Sequence, residues 1–130
     1  MMTREEVIGE LIRLKKEYAD TGELESTLWG HFGYEVDHGE AVWVEDGDKI
    51  VAFCDWSWVS SPQDVEDSLN GKKTSGDVLL LINVVCTRPN LIWKLRRLLP
   101  GHKWIIGVHI SRAGRIRAPK GIPDHFMQVA

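Results

Sequence analysis

Residues 78–108 read VLLLINVVCTRPNLIWKLRRLLPGHKWIIGV, and this stretch decides the fold class. Val78, Leu79, Leu80, Leu81, Ile82, Val84 and Val85 form a nearly continuous apolar run. Such a run predicts a strand over Asp77–Cys86, buried on both faces. Leu91, Ile92, Leu95, Leu98 and Leu99 then recur at helical spacing and stop at Pro100-Gly101. Pro89 suits a first helical position, where the missing N–H would be unpaired anyway. A second apolar strand is expected over Lys103–Ile110. Strand, helix and strand in this order have the length of a short parallel crossover.

Upstream, Thr3 and Glu6 have the spacing of a capping box. Val7, Ile8, Leu11, Leu14 and Tyr18 follow at helical spacing, and Gly22 is the expected stop. Leu24–Trp29 predicts a short second helix ended at Gly30 or Gly33. Ala41–Glu45 and Lys49–Val59 flank Asp46-Gly47-Asp48, a hairpin signal. Along the second arm, alternation puts Ile50, Ala52, Cys54, Trp56 and Trp58 on one face and Val51, Phe53, Asp55, Ser57 and Val59 on the other. Both sets are mostly apolar, so a central strand is expected. Ser60–Gly76 reads as a long polar loop, with a helical turn over Asp64–Leu69. Arg115–Ala118 predicts a final strand.

With 130 residues, the chain suits one domain, 1–130, with an ordered core over 1–118 and a tail over 119–130. The fold class expected is α/β (α+β): a mixed, mostly antiparallel sheet with helices on its faces. Its 43% hydrophobic and 27% charged residues argue against general disorder. No apolar run approaches the length that spans a bilayer, and there is no signal-peptide pattern. Two cysteines make no disulfide framework, which points to a cytoplasmic protein.

The net charge of −3 hides an asymmetry. Residues 1–77 hold 7 basic and 18 acidic side chains, whereas residues 78–123 hold 9 basic and none acidic. This favours an anionic partner for the second half, or two halves that neutralise each other within one domain.

The element order resembles a shortened member of the GCN5-related N-acetyltransferase superfamily. VWVEDGDKIVAFCDWSWV (42–59) is similar to its second and third strands, and residues 78–108 occupy the place of its acetyl-CoA-binding unit. The likeness covers roughly residues 1–110 and brings small phage or prophage proteins to mind. It implies an acetyl-CoA-dependent N-acyltransferase acting on a small-molecule or protein amine. Asn83, Val84 and Val85 would then offer backbone groups to the pantetheine arm, and Arg88, Asn90 and Leu91 would face the pyrophosphate. The family's phosphate loop carries glycines that Cys86–Ile92 lacks, and no tyrosine follows Tyr34 to serve as an acid.

Among chemistry-bearing residues, Asp55 sits between aromatics on the expected central strand. Partial burial would raise its pKa and suit a general base; a salt bridge explains it equally. His31, Glu35, Asp37 and His38 form a polar cluster, read as an acidic surface loop. Their spacing is no recognised zinc pattern, so no metal is expected. Cys54 and Cys86 read as small buried hydrophobes. Two other functions stay open: a catalytically degenerate interaction module, or a nucleic-acid binder using the basic 88–120 half. In the latter, Arg112, Arg115, Arg117 and Lys120 would contact phosphates and a tryptophan would stack on bases.

Overall fold

The computed structural model describes residues 2–102 and 104–107. It is a mixed α+β structure. The order is α1 (Arg4–Tyr18), α2 (Glu25–His38), β1 (Ala41–Asp46), β2 (Lys49–Val59), α3 (Pro62–Leu69), β3 (Val78–Cys86), α4 (Leu91–Leu98) and β4 (Trp104–Gly107). The sheet order is β1-β2-β3-β4. β1 and β2 run antiparallel, with Ala41 opposite Asp55, and β3 and β4 run parallel, with Val78 opposite Trp104. The expected final strand over Arg115–Ala118 and the tail lie outside the described residues. Among the described residues, no helix is long and apolar enough to cross a membrane.

The described residues divide into two compact units, one of residues 2–55 and 84–99 and the other of residues 56–83, 100–102 and 104–107. In the first unit, α1 starts at a true capping box: Glu6 N–H donates to Thr3 Oγ1 and Thr3 N–H to Glu6 Oε1. Its buried stripe is Val7, Ile8, Leu11, Ile12 and Leu14, which pack with Leu28, Phe32, Ile50, Phe53 and Val85. The helix ends at Tyr18, short of Gly22, and the Asp20 carboxylate accepts from Gly22 N–H in the turn that follows.

α2 corrects the sequence expectation most. It does not stop at Gly30 or Gly33 but runs to His38 and is capped by Gly39 in the left-handed region (φ +67). Glu40 N–H then reaches back to the Glu35 carbonyl, satisfying an end-of-helix acceptor. Gly33 is there for closeness rather than for termination: a Cβ would meet Arg4 Nη2 at 3.0 Å. Across this contact Arg4 donates through Nε and Nη2 to both oxygens of Asp37, at 2.7 and 2.8 Å.

The hairpin is as expected, with a two-residue turn at Gly47-Asp48 that puts glycine first (φ +67). α1 is pinned to the start of β2 by a polar clamp. The Glu10 carboxylate accepts from Ile50 N–H at 3.0 Å, and Arg13 donates to both Glu10 and the Ile50 carbonyl. Arg13 beside it holds the Glu10 carboxyl below the usual range. Glu10→Ala strips the partner from a part-buried N–H. It is expected to cost about 1–3 kcal/mol in urea unfolding, against a few tenths for exposed Glu17→Ala.

α4 begins at Leu91, two residues after Pro89, and its buried residues are Leu91 and Leu95. Leu91 and Ile92 N–H donate to the Arg88 and Pro89 carbonyls. The proline thus shapes the turn before the helix rather than its first position.

In the second unit, the expected helical turn is a two-turn helix, α3. Ser61 caps it by accepting from Asp64 N–H, with Pro62 in its first turn. Asp64 in turn accepts from the N–H and hydroxyl of Ser60. Among its described residues, Trp56, Val59, Val65, Val78, Leu79 and Leu80 are the buried apolar ones. The expected loop is therefore helical over Pro62–Leu69, and Thr74 anchors its far end by donating to the Trp58 carbonyl.

Candidate functional site

Asp55 is the one carboxylate that the sequence places inside a central strand, and the structure buries it fully (0% exposed). Facing it is α2, whose inward residues recur as Leu28, Phe32 and Glu35. Phe32 meets Phe53 edge to face at 5.6 Å, which fixes the distance and rotation of the helix against β2. That docking carries Glu35, one turn beyond, to the carboxylate on β2. His31 lies four residues before Glu35, hence on the same side of the helix.

The result is a three-residue cluster. His31 Nε2 is 3.2 Å from Glu35 Oε1 and 3.4 Å from Asp55 Oδ2. The two carboxyl side chains are 4% and 0% exposed, whereas His31 is 40% exposed. Burial, and next the negative charge of Asp55, push the Glu35 carboxyl up to about 12. Glu35 is therefore a neutral acid near pH 7, because two adjacent desolvated carboxylates do not both ionise. Burial also raises Glu40, with His38 opposing and Asp55 adding.

The expectation that His31, Glu35, Asp37 and His38 share a surface loop is corrected on two counts. They are helical, and they divide. His31 and Glu35 turn to Asp55, Asp37 pairs with Arg4, and His38 stacks on Tyr34 at 3.9 Å. One donor atom each from His31, Glu35 and Asp55 lie within 4.8 Å of one another, so this set could hold a metal ion. The sequence signal for this set is His31 and Glu35 at i and i+4.

The residues expected to hold coenzyme are differently placed. Val85 and Leu91 are buried, and the Leu91 N–H is taken by the Arg88 carbonyl. Val84, Arg88 and Asn90 are exposed, and Asn83 is half-buried. Asn90 makes no side-chain cap bond to α4. Burial pushes the Cys54 thiol up to about 12, with Asp55 adding to the effect, and burial also raises Cys86. Neither has the lowered pKa of a nucleophile. Of the tryptophans considered for stacking, Trp56 is buried and Trp93 is 62% exposed beside exposed Lys94, Arg96 and Arg97. Arg112, Arg115, Arg117 and Lys120 lie outside the described residues.

No family model matches this chain, and no match was found among curated proteins.

Proposed function

We propose that the chain transfers an acyl group from acetyl-CoA to an amine, with His31 accepting the amine proton and Asp55 holding the imidazole. The observation that carries this reading is a fully buried carboxylate 3.4 Å from Nε2 of a half-exposed histidine. Its logic is that of carboxylate–histidine bases in general: the carboxylate fixes ring and tautomer, and the opposite nitrogen does the work. With the Nε2 proton directed at Asp55, the lone pair of the neutral ring is on Nδ1. The amine nitrogen attacks the thioester carbonyl and gives up its proton to Nδ1 as it does so. The C–N bond forms, the C–S bond breaks, and the CoA thiolate leaves with a proton returned from the imidazolium. Glu35, held as a neutral acid, leaves one negative charge beside the imidazolium rather than two.

The acetyl-CoA assignment rests on the resemblance and on the parallel β3–β4 pair joined through α4, which supports an acetyltransferase-like fold. Without glycines before α4, phosphate binding falls to side chains, of which Arg88 is the candidate at the helix entrance. The test is titration with acetyl-CoA and CoA, followed by tryptophan fluorescence and thermal shift. Saturable binding with a raised Tm is expected, worth about 2.7 kcal/mol at a ligand concentration one hundred times Kd. No response at millimolar ligand overturns the reading and leaves a catalytically degenerate interaction module, of the kind a phage accessory protein would be.

A second reading is favoured by one observation: Trp93 stands exposed beside three cations on α4. An aromatic platform among cations suits single-stranded nucleic acid. A salt-dependent affinity for oligonucleotides that Trp93→Ala weakens would favour it over acyl transfer.

A further inference from the structure

We infer that His31, Glu35 and Asp55 form a three-ligand site for a divalent transition-metal ion, whose binding blocks the proton transfer at His31. The first argument is distance. Ligand atoms about 2.0–2.2 Å from a common ion stand roughly 3.0–3.5 Å apart in tetrahedral or octahedral arrangements. The two contacts of His31 Nε2, 3.2 Å to Glu35 Oε1 and 3.4 Å to Asp55 Oδ2, both lie in that range.

The second argument is the state of Glu35. Its side chain is 4% exposed, and Oε1 is buried with no hydrogen-bond partner although an imidazole nitrogen stands 3.2 Å away. A buried carboxyl oxygen without a hydrogen bond is costly. Oε1 is thus a buried ligand atom beside an imidazole nitrogen and is not taken up by a hydrogen bond. The third argument is the donor set. One imidazole nitrogen and two carboxylate oxygens suit zinc, cobalt or manganese rather than a soft, thiolate-seeking ion. His31 and Glu35 come from one helical turn and Asp55 from a strand packed beneath it, so the set is held by regular elements within one compact unit. The half-exposed imidazole marks the side from which an ion enters.

Binding is an exchange. The ion takes the Nε2 lone pair and one oxygen from each carboxylate, and the proton held by the carboxyl pair leaves to solvent. A ring metallated at Nε2 carries its proton on Nδ1, so Nδ1 has no lone pair for an amine. Only this inhibitory consequence rests on the acyl-transfer reading; the site itself does not.

The test is titration of the full chain, prepared metal-free, with cobalt(II) and with zinc. Calorimetry and cobalt visible absorption are the readouts. One ion per chain is expected, with affinity lowered at least about tenfold in His31→Ala and in Glu35→Gln, and unchanged in His38→Ala. Glu35→Gln keeps shape and neutrality, so it tests ligation rather than folding. A readout without variants is cobalt broadening of the histidine ring resonances, expected at His31 and not at His38 or His102. No binding, broadening centred on another histidine, or affinity that both variants leave intact overturns the site. Cobalt binding by a protein with no acyl-transfer activity when metal-free retires the acyltransferase reading alone. Acyl transfer indifferent to cobalt, with no spectral change, retires the metal site alone.

Discussion

On the acyl-transfer proposal, His31→Ala is expected to lower kcat for amine acylation by about 10²–10⁴, while acetyl-CoA binding stays within about twofold. The reason lies in how the cluster divides its work. Asp55 is fully buried, and His31 is the member with a face to solvent. Deleting the imidazole removes the proton acceptor but leaves Phe32, Phe53 and Glu35 to hold α2 on β2. A loss caused by misfolding would instead appear in Tm and in coenzyme affinity together. Added imidazole separates the two further. It is expected to restore part of the activity of His31→Ala, because a small base can enter the space left by the ring, and a merely structural histidine would show no such rescue. Asp55→Asn tests the other half of the pair. The amide keeps the volume but also offers a donor to Nε2, so the ring can adopt the wrong tautomer. A fall in kcat with little change in KM for acetyl-CoA is expected. Full activity in both variants would remove the cluster from the mechanism.

How this cluster was and was not legible in the sequence follows from the physics of each element. Asp55 stood out because a carboxylate within KIVAFCDWSWV breaks an apolar strand, and burial there forces it to find a partner. Its partners, His31 and Glu35, are far from it in the sequence, so nothing local marks them as neighbours. Gly30 and Gly33 made α2 look broken, since glycine costs a helix about 1 kcal/mol relative to alanine. Tertiary packing outweighed that cost. Gly33 admits the Arg4 side chain, and Leu28 and Phe32 bury one face of the helix. Because α2 runs on to the Gly39 cap, His31 and Glu35 become an i, i+4 pair on one side of it. The pairing of that face with Asp55 still needed the register of α2 on β2, a long-range contact that no local pattern encodes. Periodicity serves α1, the hairpin, β3 and α4 well because each has an unbroken apolar pattern, although α1 stops at Tyr18 and not at Gly22. α3 was underestimated for the opposite reason: its burial rests on Val65 and Ser68 alone, too little for a pattern, and its start is written in the Ser61 cap and Pro62.

Gly76→Ala carries the largest expected effect on stability. A Cβ at Gly76 would lie 2.0 Å from the Val59 carbonyl oxygen, 2.1 Å from its carbon and 2.6 Å from Ser60 N. All three are backbone atoms at the end of β2, so no side-chain rotation relieves the clash. Either the start of β3 or the end of β2 must move, and both are committed. Val59 is fully buried, Val78 follows two residues later in the unit's core, and Thr74 is bonded to the Trp58 carbonyl. Contacts this short are repulsive on a scale well beyond ordinary packing strain, so the cost expected is roughly 4 kcal/mol or more, the range reserved for severe single substitutions. Gly71→Ala is the internal control. Its φ of +81 makes alanine unfavourable, but nothing lies within 4 Å of the new methyl. The loss there is expected to be only about 1 kcal/mol. Urea denaturation read by tryptophan fluorescence and by hydrogen exchange across residues 56–83 checks both. If Gly76→Ala unfolds at the same urea concentration as Gly71→Ala, the close approach of residues 59 and 76 is not a feature of the folded protein.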